Sequence, residues 1–183
     1  MSCSDVALLV GADHAGWVLA APFRAWLMHL ADSTGLEPLT IAVAARVPTG
    51  VARTLADGWP RPRRIRAVDA ISLLMLDADA LRSQAQALAD ARPACQALRY
   101  LGPLLPAADT LQTRLGVPPD VVAGLVDGWL DVCPNVVVWK TIALAQDIMH
   151  RYTRAACRGE VIVGPWPALE DVDDFDVADA LAA

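Results

Sequence analysis

The chain has 183 residues, 55% of them hydrophobic, which excludes general disorder and allows a core of real size. Alanine and leucine abound while Phe and Tyr occur twice each, a composition that favours helices over sheet. The net charge of −6 excludes a generally basic surface, so contact with nucleic acid would have to come from a local patch.

The chain opens on MSCSDVALLV, which has no basic n-region and too short an apolar run for a signal peptide or a membrane span. A cytoplasmic protein without membrane contact is expected. VALLV is followed by Gly11-Ala12-Asp13-His14-Ala15-Gly16, the pattern of a strand, a glycine loop and a helix. The loop resembles the opening of the ribose-5-phosphate isomerase B family, and the resemblance implies a sugar-phosphate role for Asp13 and His14. That family's later glycine-rich phosphate loop and catalytic cysteine neighbourhood are missing from this sequence. Asp13 is therefore expected to cap a helix and His14 to lie at the surface. The cysteines Cys3, Cys95, Cys133 and Cys157 form no CxxC pair, so neither a zinc site nor a disulfide framework is expected.

From Pro22 to Asp32, the residues Phe23, Trp26, Leu27 and Leu30 share one helical face, and STG at 33–35 ends the helix. A second helix is expected over Pro38 to Arg46. It leads into VPTGVARTLADGW (Val47 to Trp59), which recurs as VPPDVVAGLVDGW (Val117 to Trp129) with seven of thirteen positions identical. The shared Val, Pro, Leu, Asp, Gly and Trp are those of a short helix entered through a turn and closed by glycine. Trp59 and Trp129 close the two copies, and both are expected to fold back onto the core.

Ile41, Ala42, Ala45, Val47, Ala52, Leu55 and Asp57-Gly58 have the spacing of phage-repressor-like helix-turn-helix DNA-binding proteins, and the first copy resembles them. The second copy is similar at Leu111, Leu115-Gly116-Val117, Val122, Leu125 and Asp127-Gly128. Two departures stand out. Arg46 takes the place of the turn glycine, which requires a left-handed arginine or a different turn, and Gln112 replaces the small crossing residue Ala42. The resemblance implies that Thr49, Gly50, Arg53 and Thr54 face outward on a recognition helix. Arg61, Arg63, Arg64 and Arg66 follow as a proline-held arm. Between Arg46 and Arg66 there are six arginines against the single acid Asp57, a density suited to a phosphate backbone. At the corresponding places the second copy has Pro119, Asp120, Ala123 and Gly124, followed by the loop LDVCPN. Its acids make it a poor reader of DNA and suit it to packing against the first unit or a second subunit.

Each copy is followed by an apolar helix, Ala67 to Leu76 and Val136 to Ile148. Aligning IRAVDAISLL with VVVWKTIALA takes one inserted residue. Asp79 to Ala91 is expected to be a connecting helix and Ala94 to Leu101 the counterpart of the Pro22 helix. Residues 160–183 hold seven acids and no Lys or Arg, which predicts a solvated tail or a competitor for the arginine patch. No nucleophile with its base, paired carboxylates, metal spacing or Walker loop is found, and His150 has only Asp147 near it in sequence. The expectation is a non-enzymatic all-α protein without cofactor or metal. It comprises a first helix-turn-helix unit (residues 1–76), a connecting helix (77–92), a second, degenerate unit (93–158) and an acidic tail (159–183). Function is expected to be regulatory binding of double-stranded DNA, with a second copy or a protein partner on the second unit. The alternative is a helical adaptor, antitoxin-like or assembly protein that works through protein contacts.

Overall fold

The computed structural model describes residues 16–57 and 64–158. Strand β1 (Trp17–Leu19) leads into α1 (Ala21–Thr34), α2 (Pro38–Ala44), α3 (Thr49–Asp57), β2 (Arg64–Arg66) and α4 (Ala67–Leu74). After α5 (Ala78–Gln86) come β3 (Leu88–Asp90), α6 (Arg92–Leu101), a 3-10 turn (Gly102–Leu104), α7 (Ala108–Leu115), α8 (Pro119–Asp127), β4 (Val132–Pro134) and α9 (Asn135–Cys157). The described residues are thus predominantly helical, and the order strand, three helices, strand, helix occurs twice. No helix among them is long and apolar enough to cross a membrane.

The helices begin and end where local chemistry sets them. Proline lies in the first turn of α1, α2, α6 and α8, where its missing N–H is no loss. The turn between α2 and α3 shows how one backbone demand is met by two residue types. Arg46 has φ 56° and Gly116, between α7 and α8, has φ 68°, so both copies use the same left-handed turn. For arginine this conformation costs about 1–2 kcal/mol, which the surrounding packing has to offset.

The all-α expectation holds in its main part, and two short strand pairs add to it. β1 pairs antiparallel with β2 (Val18 opposite Ile65), and β3 pairs antiparallel with β4 (Ala89 opposite Cys133). Asp79 to Ala91 is therefore a helix followed by a strand, the LDVCPN segment contains β4, and the end of the arginine arm is β2. Three-residue strands whose partners are distant in the chain carry too little periodicity to be read locally. The hairpins also correct the alignment of the copies. Arg66 corresponds to Pro134 and Ala67 to Asn135, because the N–H of Ala67 donates to Gly16 O (2.7 Å) just as that of Asn135 donates to Ala87 O (2.8 Å). The second copy is shorter between its third helix and second strand, rather than longer by one residue.

Two apolar clusters form. In the first, Phe23, Leu27 and Leu30 of α1 meet Ile41, Leu55 and Leu73; in the second, Leu98 and Leu101 of α6 meet Leu111, Leu115, Leu125 and Val138. Each such side chain contributes roughly 1.5–3 kcal/mol by leaving water. The Trp26 indole N–H donates to Leu73 O at 3.0 Å and ties α1 to the end of α4. Trp129 corrects an expectation, since it is 60% exposed. Its backbone N–H bonds to Gly124 O, and its ring lies over Gly124, where a Cβ would come within 3.2 Å of it. The ring thus folds back onto its own helix, over a residue without a side chain, instead of reaching the core. Trp59 lies outside the described residues, as do the Gly11 to Ala15 loop with Asp13 and His14, and the acidic tail.

Asp69 is a local misfit beside the first cluster. It is buried in the first turn of α4, its Oδ2 has no hydrogen-bond partner, and burial pushes its carboxyl above the usual range against the attraction of Arg66. Val137 stands at the corresponding place in the second copy and is buried too. Because the folded state favours the protonated acid, the stability it contributes is present below the unfolded pKa and lost as pH rises through the raised folded value. Asp69→Val should therefore stabilise the protein by about 1–2 kcal/mol at neutral pH. The gain should shrink in acid, as thermal melts across pH would show.

Candidate functional site: the outward face of α3

Helix α3 presents Ala52 and Leu55 to the first core, which leaves Thr49, Gly50, Arg53 and Thr54 on its remaining sides. These are the residues on which an interaction with DNA would rest. The long helix α9 comes from the other end of the chain and runs across α2 and α3, with Trp139 packed against the first core. Its Gln146 and Asp147 meet α3.

Thr49 is buried and its hydroxyl donates to Gln146 Oε1 at 2.9 Å. The Arg53 guanidinium is ion-paired with Asp147 Oδ1, and the two side chains are only 16% and 8% exposed. Arg151, one turn further along α9, holds the other carboxylate oxygen at 2.8 Å. Asp147 is thus a buried acid clamped between two arginines, one from each side of the contact. The neighbouring His150 imidazole is held below its ordinary range by burial, with Arg53 and Arg154 adding to the effect. A further positive charge is disfavoured there.

The other predicted residues divide differently. Thr54 directs its hydroxyl to the carbonyls of Val51 (2.8 Å) and Gly50 (3.1 Å) within its own helix. Gly50 is exposed. Arg64 and Arg66 point to solvent from β2, on either side of the inward Ile65. Arg61 and Arg63 lie outside the described residues. In the second copy Pro119, Asp120 and Ala123 are exposed, and Gly124 is buried.

The structure therefore brings Thr49 and Arg53 together under α9, away from Arg64 and Arg66 in role if not in sequence. Gln146 and Asp147 were the residues missed by reading the sequence. Asp147 had a visible signal, being the only acid in α9, but a long-range partner for it has no local signature. Among the described residues no group of three His, Cys, Asp or Glu side chains could hold a metal ion. The buried thiols Cys95 and Cys133 are free, and burial pushes both above the ordinary thiol range.

Set against models of protein families, characterised proteins and solved structures, the chain matches none.

Removing Arg53 leaves a buried carboxylate with one cation instead of two. Arg53→Ala should lower stability by about 1–3 kcal/mol, the cost of stripping a partner from a buried charged acceptor, as measured by urea unfolding. An unchanged unfolding midpoint would mean that Arg53 is a free surface arginine.

Proposed function

We propose that the protein is a helical adaptor or assembly protein that works through protein contacts, built from two diverged copies of one trihelical unit of helix-turn-helix type. One observation carries this reading: Thr49 and Arg53, central to a DNA-reading face, are committed to Gln146 and Asp147 of α9. A recognition helix needs that face free to enter the major groove. Its occupation by a helix of the same chain favours a packing role for the unit. Apolar side chains left in solvent add to the case. Val68, Ile71 and Met75 follow one another at helical spacing along the outside of α4, and Trp17 and Leu19 are exposed on β1. Clustered exposed apolar residues are the usual mark of a surface made for a partner.

The second reading is binding of double-stranded DNA. It is favoured by Arg46, Arg64 and Arg66, which are exposed and make no ion pair among the described residues. On this reading the arginines contact phosphates and the α3 face plays no part. That would give affinity without base readout.

Fluorescence anisotropy with a labelled duplex separates the two. The adaptor reading expects binding no tighter than ordinary non-specific association, with Kd on the order of 10⁻⁴ to 10⁻⁶ M at physiological salt. Tight binding that weakens steeply with salt and disappears in Arg64→Ala/Arg66→Ala would establish the DNA reading instead.

A further inference from the structure

The two copies of the unit differ in what covers them, and the difference identifies a partner. In the first copy the surface formed by α2 and α3 is closed by α9: Leu39 lines a crevice with Lys140, Ala143 and Asp147, while Thr49 and Arg53 bond to Gln146 and Asp147. The repeat places Asp109, Pro119 and Ala123 at the positions of Leu39, Thr49 and Arg53. All three line an open groove of about 180 Å³ between α7 and α8, whose floor includes Val122 and Val126. The receiving surface of the second copy is therefore present and unfilled among the described residues.

The inserting surface is duplicated as well. By the correspondence of the strand pairs, Trp139 and Ala143, two of the α9 residues that face the first copy, correspond to Ile71 and Met75 on and just after α4, while Gln146 and Asp147 correspond to Ala78 and Asp79 at the start of α5. Trp139 packs against the first core and Ala143 is buried. Ile71 is 49% and Met75 80% exposed. The inward positions of the two helices agree: Asp69, Ala70 and Leu73 are buried on α4, as are Val137, Val138 and Thr141 on α9. The outward face of α4 thus carries the counterparts of the first part of the α9 docking face, with no receptor among the described residues.

We propose that a second copy of this chain supplies it, the α4 face of one molecule seating in the α7–α8 groove of the next. The contact would repeat between molecules the arrangement that α9 makes within one. Charge favours the pairing on the strand side of α4 and opposes it on the other side, where Asp77 and Asp79 follow Met75. Arg64 and Arg66 stand exposed immediately before α4, and Asp109 and Asp127 line the groove. Such a contact uses different surfaces on its two sides, so it joins molecules head to tail and leaves one of each surface free at the ends. The inference rests on the protein-contact reading and narrows it to self-association.

The test uses the full chain without nucleic acid, in sedimentation equilibrium over a range of concentrations, with circular dichroism confirming that each variant is folded. The wild type should rise above the 19.5 kDa of one chain as concentration increases. Ile71→Asp/Met75→Asp, which spoils only the inserting face, and Ala123→Glu, which sets a carboxylate in the groove where the counterpart of Asp147 would approach, should each stay at the mass of one chain. Mixed in equal amounts they should form a species of two chains and nothing larger, because each retains the surface the other lacks. A wild type that remains a single chain at every concentration overturns the proposal. So does an Ala123→Glu variant that associates like the wild type, or a mixture that fails to pair. A single-chain wild type that also ignores duplex DNA removes self-docking alone and leaves the adaptor reading standing. Tight duplex binding removes the adaptor reading whatever the mass.

Discussion

The organisation of this protein turns on Asp147, a carboxylate in the middle of the longest helix, nearly shut off from water and held by Arg53 on one side and Arg151 on the other. A charge in such a place is tolerated only with its partners present, since the loss of hydration has to be offset by paired, hydrogen-bonded cations. The cost of separating α9 from α3 is therefore more than the exposure of apolar surface. The pair also fits one register of the two helices, in which Thr49 bonds to Gln146 while Arg53 pairs with Asp147. From this follow the covering of Thr49 and Arg53 and the asymmetry between the two copies.

That asymmetry explains several substitutions between the copies. Arg53 and Thr49 are polar because they meet Asp147 and Gln146, whereas Ala123 and Pro119 line an open groove with no such partners among the described residues. Ala42 is fully buried and Gln112, its counterpart, is exposed. Cys133 and Ile65, which face inward from the second strands, are both buried because that position points into the core in each hairpin. Arg46 and Gly116 show the opposite case, in which the backbone is kept and the side chain varies.

Much of the helical framework was legible in the sequence because it is encoded locally. The 3.6-residue spacing of Phe23, Leu27 and Leu30, the first-turn prolines and the capping glycines each act within a few residues. The left-handed turn at Arg46 could be anticipated as one of two options from the glycine in its counterpart. The hairpins could not, since β3 and β4 acquire their pairing from residues far apart in the chain. For the same reason the outward face of α3 was read as free. Nothing within α3 announces that a helix beginning at Asn135 will cover Thr49 and Arg53. Trp129 failed for a subtler reason: a ring just past a helix end can lie on its own helix when a glycine, here Gly124, opens the space.

Whether α9 closes the α3 face in solution can be observed directly by isotope-edited NOE spectroscopy on the full chain, with Thr49, Arg53, Gln146 and Asp147 assigned. The account predicts NOEs between the Thr49 methyl group and the Gln146 side chain, and slow solvent exchange of the Arg53 guanidinium protons. Absence of those NOEs, together with the rapid exchange of a free surface arginine at Arg53, would contradict it and return the α3 face to the surface of the molecule.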